Sequence, residues 1–484
     1  MRRIAYCSPV NPVESGISDY SEELLPYLGQ YADVVLFVER GLKPSNPQVR
    51  AQLEVRPLDE LPSQQHKRPF DAIVYQLGNS PAHGTIYELA QQLPGVVVLH
   101  EWVLHHLKLW HAAERRKNIG VYLGEMQARY GPAGERVARK MLRGQLQDAA
   151  FGMPLVEDVV ERARGLVAHS QFVVDQARAL RPALPAAVVP MGVPLPRRIP
   201  TADARVRLGL PADGAIWASF GHINPYKRME SALRAFKRFR AEHPAAQYLL
   251  VGSVSPSYDL QALIRRLDLV DAVTVTGYVP RADFEHYVAA ADLCLNLRFP
   301  TAGETSASLL RLLGAGRPTL VSAVGAFAEL PPAVCALVDI DWSETALILA
   351  YARLLQSQPR IAYELGQNAR RYVAREHSLQ QAAEGYLGFL ADVYGWNSFR
   401  RERDMLWTVE APDVAHSGGT SIPQAQAQSN PSHPATPMNP LLAEVVADVS
   451  TAAAELGLRE TDEQPLRDIA VTLADLLEDP RSNR

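Results

Sequence analysis

The sequence predicts an α/β protein made of two successive doubly wound units facing each other across a cleft. Short apolar runs of strand length alternate with helical runs over roughly the first 400 residues. The alternation occurs twice, on either side of a proline-rich crossover, Pro190-Met191-Gly192-Val193-Pro194-Leu195-Pro196. Each repeat has the size of one domain, so the 484 residues divide between two sheets rather than filling one core.

In the first unit, residues 4–6 form an apolar run that ends in a loop rich in Pro, Gly and Ser. A helix is predicted over 18–28, with Leu24, Leu25 and Leu28 on one face. Strands follow over 33–38, 72–76 and 96–100. Residues 101–164 are charged and helical and read as an insertion on the sheet scaffold. The alternation resumes with a strand over 165–168, a helix from Gln171 and a strand over 187–189. The second unit predicts strands over 216–220, 247–251, 273–276, 293–297, 319–322 and 336–338. It closes with helices near 343–356, 360–375 and 379–394.

The domain limits are therefore 1–195, with the insertion, and 196–400, whose last helix is expected to pack back on the first domain. Residues 411–438 read as a flexible linker, because Ser, Pro, Gln, Thr and Gly replace large apolar residues. Residues 439–480 read as a helical appendage. Leu442, Val445, Val449 and Leu456 recur at helical spacing, and Leu466, Ile469, Leu473, Leu476 and Leu477 do so again. Its polar faces carry Glu444, Asp448, Asp475 and Glu478, which suits docking on the body, a protein partner or self-association better than a lipid surface.

Composition narrows the function. The 47% apolar and 21% charged fractions are those of a globular protein. A net charge of -4 provides no basic field for nucleic acid. Cys7, Cys294 and Cys335 are few, odd in number and far apart, which predicts buried free thiols in a reducing compartment. The first apolar run is too short for a signal segment, and no window gives a span of ~20 apolar residues. The expected location is cytoplasmic. The insertion's charged run reads mainly as a solvated face, with peripheral contact to anionic lipid as the lesser reading.

Two loops carry candidate chemistry. Gly221-His222-Ile223-Asn224-Pro225-Tyr226-Lys227-Arg228 follows a strand and opens a helix, so free backbone N–H groups and two full positive charges converge where a diphosphate would sit. Arg298 to Ser308 also joins a strand to a helix. There Gly303 permits close backbone approach, Thr305 or Ser306 can cap the helix, and Glu304 is an acceptor for sugar hydroxyls. Taken singly, each is matched by ordinary loop and cap chemistry. Finding both at carboxyl ends of strands in one half favours a site.

The sequence resembles the family-4 glycosyltransferases, which have the GT-B fold, over roughly residues 3–396. The matching pieces are Ser8 to Tyr20 with Gly16, Val98-Leu99-His100-Glu101, Ala168-His169-Ser170, Val189 to Val193, Gly221 to Arg228, and Gly303 to Pro318. The resemblance implies a retaining enzyme that takes a nucleotide diphosphate sugar, needs no metal or other cofactor, and serves a glycan, lipid-linked or protein acceptor in surface polysaccharide or glycoconjugate synthesis. It implies that Gly16, Gly221, His222, Lys227, Arg228, Gly303, Thr305 and Ser306 face the donor and its phosphates. His100 and Glu304 become the catalytic candidates. Asp19, Asn79 and Glu101 become acceptor-side candidates, and Arg311 a nucleoside-side one. The chain departs from the family pattern twice. His222 stands where an arginine is usual, and the E-x7-E pair falls on Gly303 and Arg311, with the first glutamate moved to Glu304. The missing second glutamate motivates the competing reading of a non-catalytic nucleotide- or glycan-binding relative that works through its C-terminal helices. A GT-B nucleotide-sugar epimerase is the other competing enzyme class.

Three tempting signals are set aside. His100-Glu101-Trp102-Val103-Leu104-His105 lacks the i, i+4 histidine spacing of a zinc helix. Asp339-Ile340-Asp341 ends a strand and reads as a helix cap. Gly314-Ala315-Gly316 lies at a helix end and reads as packing.

Overall fold

The computed structural model describes residues 1–13 and 15–396. The linker at 411–438 and the appendage at 439–480 lie outside the described residues.

Two all-parallel sheets form the scaffold. The first holds β1 (Arg3–Cys7), β2 (Asp33–Val38), β3 (Glu54–Pro57), β4 (Ala72–Leu77), β5 (Val96–Leu99), β6 (Gly165–Ala168) and β7 (Ala186–Val188), in the order β3-β2-β1-β4-β5-β6-β7. The second holds β8 (Ile216–Phe220), β9 (Gln247–Val251), β10 (Val273–Gly277), β11 (Leu293–Asn296), β12 (Thr319–Ser322) and β13 (Ala336–Val338), in the order β10-β9-β8-β11-β12-β13. Both sheets reverse direction at the same place. Ala5 of β1 lies between Val35 and Ile73, as Ala218 of β8 lies between Leu249 and Cys294. Ligands of open parallel sheets bind at such a reversal, beyond the carboxyl ends of the strands.

The strands are legible because a parallel sheet covered on both faces needs unbroken apolar runs. Every residue of β1, β4 and β8 is buried. β3 escapes the sequence reading for the opposite reason. It is a four-residue edge strand, Glu-Val-Arg-Pro, half exposed and closed by a proline.

The helix Leu379–Tyr394 returns to the first sheet. Tyr20 of the helix Gly16–Leu28 donates to the Tyr386 hydroxyl at 3.3 Å, and a Cβ on Gly165 would press on Phe389 and Val393 at 3.0 Å. The crossover is tied to the same region, since the Val193 amide donates to the His377 carbonyl and the His377 ring donates to the Met191 carbonyl, both at 2.9 Å.

The insertion is helical. Its long helix Ile119–Met141 bends where Gly131 (φ 67°) precedes Pro132. Buried Lys108 fastens it to the sheet scaffold, contacting the Tyr87 hydroxyl at 2.6 Å and the carboxylates of Asp158 and Glu125 at 2.7 Å each. Two carboxylates and a hydroxyl offset the cost of burying that charge. Cys7, Cys294 and Cys335 are buried and unpaired. Among the described residues no helix is long and apolar enough to cross a membrane.

Candidate functional site

The loop after β8 builds the cationic wall of the cleft. Gly221 adopts φ +89°, and a Cβ there would lie 3.4 Å from the Lys227 amine. The short turn Pro225–Lys227 folds that side chain back onto the strand end, where Nζ donates to the Phe220 carbonyl at 2.7 Å. Lys227 is 6% exposed and forms no ion pair among the described residues. Burial pushes its pKa down to about 7, Arg298 adds to the effect, and Glu304 opposes it. An ammonium group has three donors, and here one carbonyl accepts from it. This is an amine poised to receive an anion.

The structure separates Arg228 from Lys227. Arg228 takes a left-handed backbone (φ 53°) at the start of the helix Met229–Glu242, and its guanidinium pairs with buried Glu344 at 2.9 and 3.1 Å. The same carboxylate accepts from Ser231. The charge expected on a phosphate is thereby committed to anchoring the loop. His222 is exposed, with Nδ1 3.0 Å from the Ser253 hydroxyl.

The loop after β11 is organised by Glu304. Its carboxylate accepts from the Arg298 guanidinium, from the Thr301 hydroxyl at 2.9 Å and from the Ala302 amide at 2.9 Å. Arg298 was not among the residues singled out by sequence. Its signal was its place, the second residue beyond a strand at the sheet reversal. Gly303 (φ +76°) has no alternative residue, because a Cβ would stand 2.6 Å from the Phe172 ring of the first domain. Ser306 caps the helix Ala307–Gly314 by accepting from the Leu309 amide at 3.2 Å. Thr305 donates across the cleft to the His169 carbonyl at 3.2 Å. Arg311, expected beside a nucleoside, instead donates to Glu23 of the first domain at 2.8 and 3.1 Å, and Arg281 joins the same carboxylate.

The opposing wall is mostly neutral. His100 Nε2 donates to Gln76 Oε1 at 2.6 Å, and its ring lies 4.8 Å from that of His169 and 5.6 Å from that of Tyr20. Burial lowers the His100 pKa well below the usual range, with His169 and His83 adding to the effect. Burial also takes His83 and His169 down to about 4. His169 donates from Nδ1 to the Val189 carbonyl at 2.8 Å, which leaves its buried Nε2 as an unpartnered acceptor.

Glu101, next to His100, accepts from the Asn79 amide at 2.9 Å. Burial raises its pKa to about 7, partly countered by that hydrogen bond, and Glu304 and Arg298 act on it across the cleft. Asn79 is largely consumed by structure. Its Oδ1 accepts from the Leu107 amide and its Nδ2 lies 3.0 Å from His106 Nδ1. Asp19 accepts from the Asn11 side chain at 3.0 Å. Gly16 opens its helix behind a Ser15 cap, and a Cβ there would meet nothing within 4 Å.

Of the sequence candidates, the structure brings Lys227, Gly221, Gly303, Glu304, Glu101 and His100 to the facing strand ends. It turns Arg228, Arg311 and Asn79 to structural partners. The two walls touch, with the Trp102 amide donating to the Ala302 carbonyl at 2.6 Å. Among the described residues no three His, Cys, Asp or Glu side chains gather as metal ligands.

Residues 215–357 match the family described as "Glycosyl transferases group 1". The chain carries a group 1 glycosyltransferase domain. That domain contains Lys227, Arg298, Glu304 and Arg311, so the whole cationic wall belongs to it. The chain is 29% identical over 321 residues to a D-inositol 3-phosphate glycosyltransferase of Streptomyces avermitilis, covering 60% of this chain and 64% of that one. It is 28% identical over 358 residues to the enzyme so named from Streptomyces coelicolor, covering 66% and 74%. Against the first of these, the match spans just under two thirds of the relative's length. The group 1 domain and its partner sheet superpose on sucrose-phosphate synthase from Thermosynechococcus elongatus with a TM-score of 0.59 at 17% identity, covering 82% of this chain and all of that one. For Anabaena HepE in complex with UDP the TM-score is 0.58 at 16% identity, covering 81% and 100%. The two parallel-sheet domains are those of the GT-B fold.

Proposed function

We propose that the protein is a retaining glycosyltransferase that moves a hexose from a nucleotide diphosphate sugar to a glycan, lipid-linked or protein acceptor. The observation that carries this reading is Lys227, a buried amine with one neutral acceptor at the sheet reversal of a group 1 domain. Breaking the bond between the sugar and its diphosphate leaves negative charge on the departing phosphate. In this reading Lys227 and the amino end of the helix Ala307–Gly314 stabilise that charge. The donor restores the charge that burial strips from Lys227. In a front-face reaction the leaving phosphate takes the acceptor's proton, so the protein's part is to orient and to exclude water. Neutral His100 contacts the sugar, and the Glu101 carboxyl, poised near neutrality, exchanges hydrogen bonds with sugar or acceptor hydroxyls. Glu304 keeps the loop in shape for this.

HepE holds UDP, which makes UDP sugars the first donors to try. The curated relatives are named for D-inositol 3-phosphate, so a phosphorylated polyol is the first acceptor. Thermal-shift measurements with UDP, GDP, ADP and TDP test the donor half. A rise in melting temperature with one of the four supports the reading, because a ligand that binds only the folded state stabilises it by mass action. No rise with any of them, in protein shown to be folded, overturns it.

A further inference from the structure

A second cationic cavity lies beside the domain crossover and shares Arg311 with the domain contact. It has a volume of about 250 Å³ and is bounded by the crossover residues 196–199, by the helices Arg281–Ala290 and Pro359–Glu376, and by the helix Ala307–Gly314 with the segment that leads from it into β12. Its charged lining is Arg197, Arg198, Arg311, Arg317, Arg370 and a single carboxylate, Glu285. Gly316 and Arg317 sit before β12, at the amino edge of the sheet, opposite the edge that carries the Lys227 and Glu304 loops.

The arginines there are poorly neutralised. Arg311 spends its charge on Glu23. Among the described residues the other four form no ion pair. Arg198 bonds the Gln367 side chain at 3.2 Å, Arg370 bonds the carbonyls of Pro196 and Gly314, and Arg317 bonds Thr201 and the Ala291 carbonyl while its buried Nε has no partner. Burial pulls the pKa of Arg317 and Arg370 below the ordinary guanidinium value, and Arg198 adds to the effect on Arg370. Several guanidinium groups gathered around one small cavity, satisfied by carbonyls rather than carboxylates, make an anion site.

We infer that this cavity binds a small multivalent phosphate anion at the crossover between the two domains, separately from the donor. The inference does not depend on the donor reading, since the four arginines that carry it, Arg197, Arg198, Arg317 and Arg370, are not among the residues assigned to the donor.

The test is isothermal titration of the full chain with sodium tripolyphosphate at fixed ionic strength, on the wild type, Lys227→Ala, and the double variant Arg197→Gln/Arg198→Gln. The double variant removes one side-chain bond, to Gln367, and its melting temperature confirms the fold. A second double variant, Arg234→Gln/Arg266→Gln, makes the same charge change on an exposed surface. The expected result is saturable binding that survives Lys227→Ala, weakens at least tenfold in Arg197→Gln/Arg198→Gln, and is unchanged in the control. The inference is overturned by no saturable binding by the wild type, by equal losses in the two double variants, or by unchanged affinity in Arg197→Gln/Arg198→Gln. Loss on Lys227→Ala alone assigns the ion to the cleft and likewise overturns it.

Discussion

The two walls of the cleft are built by different physics. The wall from the group 1 domain is charged and shaped by glycines. Lys227, Arg298 and Glu304 sit on loops whose backbones demand Gly221 and Gly303. The wall from the first domain is buried, aromatic and neutral, with His83, His100 and His169 held uncharged and the last two packed on Tyr20. Under the proposed function, the contrast separates holding a diphosphate from presenting a dry surface to a sugar. One wall needs charge that a ligand completes, and the other needs water excluded.

The sharpest way to break that contrast is at two glycines. Gly303→Val forces a side chain into a left-handed backbone and against Phe172, and about 2–4 kcal/mol of stability should be lost in denaturant unfolding. Gly16→Ala meets open space and should change stability by less than about 1 kcal/mol. If Gly16→Ala instead weakens donor binding while sparing the fold, the space beside Gly16 belongs to the ligand.

Next in size is the acid response of the neutral wall. His83 and His169 have folded pKa values of about 4 against an ordinary value of 6.5, so the unfolded chain binds more protons between those limits. Their contribution is fully present above about pH 6.5 and is lost as pH falls towards 4, by up to about 1.4 kcal/mol per pH unit for each ring. Urea unfolding from pH 7 to 4.5 should show this slope, and His169→Gln should reduce it. An unchanged slope would remove His169 from the titrating set.

The charged wall responds in the other direction. Lys227 titrates near 7 without ligand, and a bound diphosphate raises that value. Donor affinity should therefore be level below about pH 7 and fall above it, by up to about tenfold per unit, as binding comes to require proton uptake. Affinity level from pH 6 to 9 would show that the amine does not meet the phosphate. A modest effect is expected at the domain contact, where Arg311→Gln removes its ion pair with partly buried Glu23 and should cost about 1 kcal/mol in stability.

The charged wall was also the more legible one in sequence, for the same physical reason. A loop built from a left-handed glycine and one lysine leaves a local signature, glycine and charge between a strand and a helix. Partnerships made by folding leave none. Arg228 reaches Glu344 and Arg311 reaches Glu23 from 116 and 288 residues away, so both arginines read as free cations until the chain is folded. Glu304 read as a sugar acceptor because its bonds to Arg298 and the Ala302 amide depend on the loop's path. The strands were legible where both faces are buried, and β3 was not because it lies half exposed at an edge.

The central claim is that Lys227 waits for the donor's diphosphate, and calorimetric titration of the preferred nucleotide into wild type and Lys227→Ala tests it most directly. Loss of one charge-assisted contact predicts affinity weaker by about 1.5–3 kcal/mol with the melting temperature of the free protein preserved. Equal affinity in a well-folded variant would contradict the claim.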